Sequence, residues 1–263
     1  MRHVLRAFST VLSLGLLAVA IGVVFYWQQI TDYYKVYSYQ PTPAITQLAD
    51  RSGMSDKGRF YFYATSPQLE TAEQFNDECR RAEKGSPILG CYSPASDTIH
   101  IFNITDSELD GIKEVTAAHE MLHAVFARMS EQEISDITPQ LESVYSQHKT
   151  DKLEERMQYY ERVAPGTRVN ELHSIIGTEF AGIGSELEGH YAKYFSDRQA
   201  VVGLHQNYSQ KFEDIERQIN ELTASLDSQA EQIEDLSLAY DQDIQAINQR
   251  IRQFNRRAES AGF

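Results

Sequence analysis

Residues 119 to 123 read His-Glu-Met-Leu-His. On a helix the two histidines are separated by about 400°, one turn and a little more, so both imidazoles project from one face and can reach a single metal ion. Glu120 is rotated by about 100° from His119. That offset keeps its carboxylate off the ion yet within reach of a water beside it, where a base is needed. Ala117, Ala118 and Ala124 leave room for a neighbouring element to approach closely. The chemistry implied is metal-assisted hydrolysis with Glu120 as the catalytic base and His119 and His123 as metal ligands.

The surrounding pattern supplies elements able to hold such a site. "DTIHIFNI", residues 97 to 104, alternates as a strand and stands immediately before the helical run "GIKEVTAAHEMLHAVFARM". Thr105 with Glu108, Ser130 with Glu133, and Ser185 with Glu188 have capping-box spacing. Further helices are expected over residues 140 to 148, 152 to 163 and 168 to 180, with Pro165-Gly166 between the last two. Upstream, "RFYFYAT" and "ILGCY" suit strands, and "QLETAEQFNDECRRAEK" suits a helix ending at Gly85. Strands first and helices after predict an α+β domain, a small sheet packed on a helical bundle.

The motif and its setting resemble the active-site helix of the zincin metallopeptidases, in which an HExxH helix follows a strand that binds the substrate backbone. The resemblance is specific at the motif and extends loosely over residues 97 to 190. It implies a zinc ion, Zn2+, one per chain, a peptide or protein substrate, and pairing of that substrate with "DTIHIFNI". Zinc needs a third protein ligand beside an open position. Phe126 and Met129 stand where the metzincin pattern requires glycine and histidine, so a ligand from a later helix is expected, as in the gluzincins. "NELHS", residues 170 to 174, resembles the N-E-x-x-[SA] pattern that carries this ligand and implies Glu171, although the aspartate that often follows is replaced by Ile175. Glu179 is the alternative third ligand. It lies nearer the apolar side made by Leu172, Ile175 and Ile176, where a carboxylate needs a partner such as a metal. The two are ~12 Å apart along a helix, so both cannot hold one ion. Glu179 would otherwise orient one of the histidines, and His173, His190 and Tyr191 are candidate donors to a developing oxyanion. Tyr159 and Tyr160 read as packing.

The first thirty residues set the address. No charged side chain occurs from Ala7 to Thr31, and "VLSLGLLAVAIGVVFYW" is apolar enough to cross a bilayer as a helix of ~20 residues. Arg2 and Arg6 precede it, so the amino terminus is expected in the cytoplasm and the rest outside, as a single-pass protein of the cell membrane. Ala18-Val19-Ala20 offers a signal-peptide cleavage site, but the apolar run continues through Trp27. An oxidising compartment agrees with a Cys79–Cys91 disulfide.

Residues 1 to 30 are thus expected as a cytoplasmic tip and anchor and 31 to 58 as a linker, with "QPTPA" and "DRSGMSDKG" as turn-rich punctuation. Residues 59 to 200 form the zincin-like domain, 201 to 257 a coiled coil, and 258 to 263 a tail. The coiled coil is read from Leu204, Tyr208, Ile215, Ile219, Leu222, Leu226, Ile233, Leu236, Tyr240, Ile247, Ile251 and Phe254, largely at alternating steps of three and four. A homodimer or a partner helix would cover that seam, a helical hairpin being the rival. A formal charge of −14, with no basic stripe, argues against nucleic acid as a partner.

Overall fold

The computed structural model describes residues 2 to 79 and 88 to 260, with side chains from residue 14 onward. The flanking Arg2 and Arg6 side chains, and the interior of the cysteine loop, residues 80 to 87, lie outside that description. In chain order the elements are α1 (Arg2–Phe25), α2 (Trp27–Ser38), α3 (Pro43–Arg51), α4 (Asp56–Ala64), β1 (Gln68–Glu70), α5 (Ala72–Glu78), β2 (Gly90–Ser93) and β3 (Thr98–Phe102). Then follow α6 (Ile112–Phe126), α7 (Glu131–His148), α8 (Asp151–Val163), α9 (Arg168–Glu179), α10 (Ser185–Tyr191) and α11 (Arg198–Ser260). This is the expected α+β class, mostly helical with one small sheet. The chain divides into two compact units, Met1–Tyr208 and Ser209–Phe263.

In the first unit, α6 is the central helix. Ala117, Ala118, Met121, Leu122, Ala124 and Val125 are buried, because the element is apolar on most sides and is packed by β2, β3, α3, α4 and α9. Small residues set the spacing. A Cβ added at Gly177 of α9 would lie 2.4 Å from Leu122 Cδ1 and 2.7 Å from Tyr191 Cε1, so only glycine lets α9 settle onto α6. The sheet has the order β1-β3-β2, β1 parallel and β2 antiparallel to β3. Ile99 and Ile101 of β3 are wholly buried. Cys79 and Cys91 form the expected disulfide, with Cα atoms 6.0 Å apart, tying the end of α5 to β2.

Several expectations are corrected. Residues 31 to 58 are not a linker. Thr42 caps α3 with Pro43 in its first turn, Ser55 caps α4, and Ile45, Leu48, Ala49 and Met54 belong to the core. The turn-forming residues there are helix caps. Arg51 fixes α3 to the domain through Asp110 at 2.6 Å and Glu114 at 2.7 Å. "RFYFYAT" is helical because Ser55 starts a helix whose Gly58 and Phe62, four apart, face inward. A three-residue aromatic alternation cannot outweigh that cap. Gln68–Glu70 is a strand and the helix starts only at Thr71, whose capping box with Gln74 marks the boundary. The Ser130/Glu133 box is present, whereas Gly111 and Gly184 stand at the N-caps of α6 and α10.

Among the described residues no single helix is long and apolar enough to cross a membrane. Leu14–Phe25 and Trp27–Ser38 pass that test together, bent by 68° at the break. The second of the pair belongs to the domain through one side: Asp32 is buried against Arg128, at 2.7 and 2.9 Å. In the second unit the chain is helical from Ser209 to Ser260 without interruption, so the hairpin is not formed. Ile215, Ile219, Leu222, Leu226, Ile233, Leu236, Tyr240, Ile247, Ile251 and Phe254 are all exposed there.

Candidate metal centre

One turn of α6 brings His119 and His123 together, with Nε2 atoms 3.1 Å apart and ring planes at 80°. α9 crosses α6 and presents Glu171, whose Oε2 lies 3.7 Å from His123 Nε2 and 3.9 Å from His119 Nε2. These three residues form a group that could hold a metal ion, each offering one ligand atom and all within 4.8 Å of one another. Tetrahedral ligands at ~2.0–2.1 Å from an ion stand ~3.3 Å apart, which this triangle approaches.

The donor states fit a cation. Asn170 Oδ1 lies 2.9 Å from His123 Nδ1 and can only accept, so Nδ1 carries the proton and Nε2 is left with a bare lone pair. Ser174 Oγ, 3.3 Å from the same nitrogen, supports that orientation. Burial, then the neighbouring His123, Arg156 and His173, push His119 well below its ordinary value and keep it neutral. Burial raises Glu171 against the opposing pull of His123 and Arg156, and its Oε2 is buried without a hydrogen bond. The two histidine Nε2 atoms face each other at 3.1 Å, and a buried carboxylate oxygen with no hydrogen bond beside them is costly unless a cation joins the group.

Glu120 stands beside this group under the edge strand. Its carboxylate accepts from the backbone N–H of Tyr92, and a Cβ added at Gly90 would lie 2.9 Å from its Oε1, so β2 crosses closely over it. Burial pushes Glu120 up to about 7; the neighbouring His123 opposes this, Glu171 adds to it, and the Tyr92 amide opposes it.

The edge strand is not the one expected. β3 is paired on both sides and has no edge to offer, so "DTIHIFNI" cannot take a substrate strand. β2 can. Leu89 O accepts from Phe102 N–H, which turns Leu89 toward β3 and leaves Gly90 and Tyr92 facing outward. No strand among the described residues covers that side.

Glu179 is corrected as the alternative third ligand. Its position did demand a partner, and the partner is Arg156, bonded to both carboxylate oxygens at 3.0 and 2.7 Å, with His205 Nε2 at 3.4 Å. The partner that orients His123 is Asn170, so Glu179 does not serve there either. His173 is wholly buried with Nε2 2.9 Å from His190 Nε2, and the Tyr191 hydroxyl donates to the His173 carbonyl at 2.7 Å. Burial, then Lys193, brings His190 down to about 4. Through His173 Nε2, His190 and the Tyr191 hydroxyl the three join α9 to α10, while His173 Nδ1 is buried without a hydrogen bond. His100 is equally structural, paired with buried Glu70 at 2.7 Å.

Two side chains were missed. Tyr160 on α8 is raised by burial first and then by the charge of Glu171, with Arg156 opposing and Glu120 adding, so its hydroxyl keeps its proton. Leu153, Met157 and Tyr160, spaced four and three, already place it on the inward face of α8. Asn170 was visible as the first letter of the NELHS pattern. No family model, no curated protein and no solved structure matches the chain.

Proposed function

We propose that the protein is a membrane-anchored, extracytoplasmic zinc metallopeptidase that hydrolyses peptide bonds. The observation that carries this is the convergence of three ligand-type atoms, one of them a buried carboxylate oxygen with no hydrogen bond, beside the buried carboxylate of Glu120 and an open strand edge. His119, His123 and Glu171 would hold the ion. Zinc there would supply Lewis acidity, making a water acidic near neutral pH and polarising a carbonyl.

The remaining work falls to this chain's own groups. The outward N–H and C=O of Gly90, and the C=O of Tyr92, would align an extended peptide antiparallel to β2 and lay its scissile bond over Glu120. Glu120, buried and near neutrality in its proton affinity, takes a proton from water on one carboxylate oxygen and hands it to the departing amide nitrogen. Tyr160 donates its neutral hydroxyl to the negative charge that develops on the carbonyl oxygen. The apolar amino-terminal run supports the anchor, and the disulfide fits an oxidising compartment.

The test is turnover of a peptide library by the full chain. Glu120→Gln is expected to lower the rate by about 10²–10⁴-fold with zinc retained. Hydrolysis unchanged by that substitution contradicts the mechanism.

A second reading, a zinc-binding shell without turnover that serves as a scaffold, is favoured by the exposed apolar stripe of Ser209–Ser260. The stripe would pair with a second copy or a partner helix as a coiled coil. Zinc binding with no hydrolysis across the library, in a chain that self-associates, would select it.

A further inference from the structure

α2 is amphipathic in an unusual sense: its polar side faces the protein and its apolar side faces outward. Asp32 is 2% exposed and held by Arg128, while Trp27, Ile30, Tyr34 and Tyr37 are 60, 47, 71 and 91% exposed. Their spacing of three, four and three places the four on one face, and Asp32 lies ~160–200° round the helix from Ile30 and Tyr34. Lys35, on the protein side, donates to Asp97 Oδ2 at 3.0 Å, and Arg128 holds Asp32 and Asp97 together. Tyr33 stacks edge-on against Phe60 at 4.9 Å. α2 is thus clamped to the domain along one side, with a row of tyrosine and tryptophan rings on the other.

The bend from the preceding helix says what covers that row. Leu14 to Phe25 is apolar and exposed, and α2 leaves it at 68°. If the first helix stands across a bilayer, the second lies within ~20–25° of the membrane plane, at the depth where rings with an apolar body and a polar tip settle.

We infer that α2 is an interfacial helix whose Trp27, Ile30, Tyr34 and Tyr37 face rests in the headgroup region of a lipid bilayer, so that the domain is seated on the membrane surface. This rests on the anchor proposed above. It also deepens it. Arg128 follows His123 by five residues, in the turn just beyond α6, where it donates to the Ala124 carbonyl at 3.0 Å, and Asp97 closes the hairpin turn between β2 and β3. The lipid-seated helix is therefore bonded directly to the end of the motif helix and to the hairpin that carries the edge strand. The peptides within reach are segments emerging from, or lying close to, the same membrane.

Trp27 is the sole tryptophan, which gives a direct probe. The full chain is reconstituted in phosphatidylcholine–phosphatidylglycerol vesicles carrying bromine either near the headgroup or deep on the acyl chain, and tryptophan quenching is read. The parent is compared with Trp27→Phe/Tyr37→Trp, whose only tryptophan sits at the far end of α2; unchanged circular dichroism serves as the fold control. Shallow bromine is expected to quench the double variant within about twofold of the parent, and deep bromine to quench it less. A quenched parent with an unquenched, water-like double variant overturns the inference and leaves the anchor standing. A blue-shifted but unquenched double variant assigns the face to protein, such as a second copy, and also overturns it. Quenching in neither chain removes the anchor and the inference together.

Discussion

Two buried ionisable clusters lie along the second half of α6 and the turn after it, and they are built on opposite principles. In the turn just after α6, Arg128 is surrounded by Asp32, Asp97 and, through Asp97, Lys35; Arg128 itself bonds Asp32 at 2.7 Å and Asp97 at 2.9 Å, and cationic and anionic groups alternate. Earlier on α6, His119 and His123 set their Nε2 atoms 3.1 Å apart, and Glu171 on α9 brings toward them a buried carboxylate oxygen with no hydrogen bond. The first cluster is complete as it stands and holds α2, the hairpin turn and α6 in register. The second leaves a buried carboxylate oxygen without a partner, which a cation would supply. A saturated cluster is a joint, whereas an unsatisfied one made of ligand-type atoms is a place for something to bind.

That contrast is open to attack by substitution. The largest effect is expected at Glu120, where Gln should remove turnover by the 10²–10⁴-fold stated above while leaving the unfolding free energy unchanged or raised, because a buried carboxylate becomes neutral. Arg128→Met should behave in the opposite way. It strands two carboxylates and is expected to cost about 3–5 kcal/mol in urea unfolding, with zinc affinity intact in the molecules that remain folded. Adding Asp32→Asn and Asp97→Asn to Arg128→Met should recover most of that loss; a triple variant as unstable as the single one would show that the cluster acts otherwise.

Asn170→Ala is expected to be smaller, weakening zinc affinity by about 10–100-fold in competition with a chelating dye, since His123 loses the group that fixes its proton on Nδ1. Affinity equal to the parent's would put that orientation elsewhere.

The smallest effect concerns pH at the joint. Burial alone would raise Asp97, but Lys35, Arg128 and Tyr92 outweigh it and hold its carboxyl below the usual value. The unfolded chain then binds the proton more readily than the folded one. The stabilisation from Asp97 is full above the ordinary carboxylate range and is lost as pH falls through the lowered folded value. The Tm difference between the parent and Asp97→Asn should therefore be constant at neutral pH and shrink below about pH 4. A difference that grows on acidification contradicts the sign.

The two clusters were also unequally legible. His119, Glu120, His123 and Glu171 could be named because local spacing on a helix is written directly in the sequence, and the pattern around Glu171 carried the rest. The Arg128 joint could not, since its members are separated by as many as 96 positions and only tertiary packing brings them together. The same limit explains β2 and β3. Alternation identifies a strand but not which strand lies at the edge. It explains Glu179 too: periodicity showed that the carboxylate needed a partner and could not show that Arg156 would be the one. Residues 31 to 58 failed for a different reason, because Pro43 and Ser55 read equally as turn or as helix start until Ile45, Leu48 and Phe62 are seen to face a core.

The central claim is that the unsatisfied cluster holds zinc through Glu171. Mass-spectrometric metal content of the full chain, purified without chelator and supplied with zinc, tests it most directly when run beside Glu171→Gln and Glu179→Gln. The account predicts about one zinc per chain in the parent, loss in Glu171→Gln and retention in Glu179→Gln. No zinc in the parent, or loss in Glu179→Gln with retention in Glu171→Gln, would contradict it.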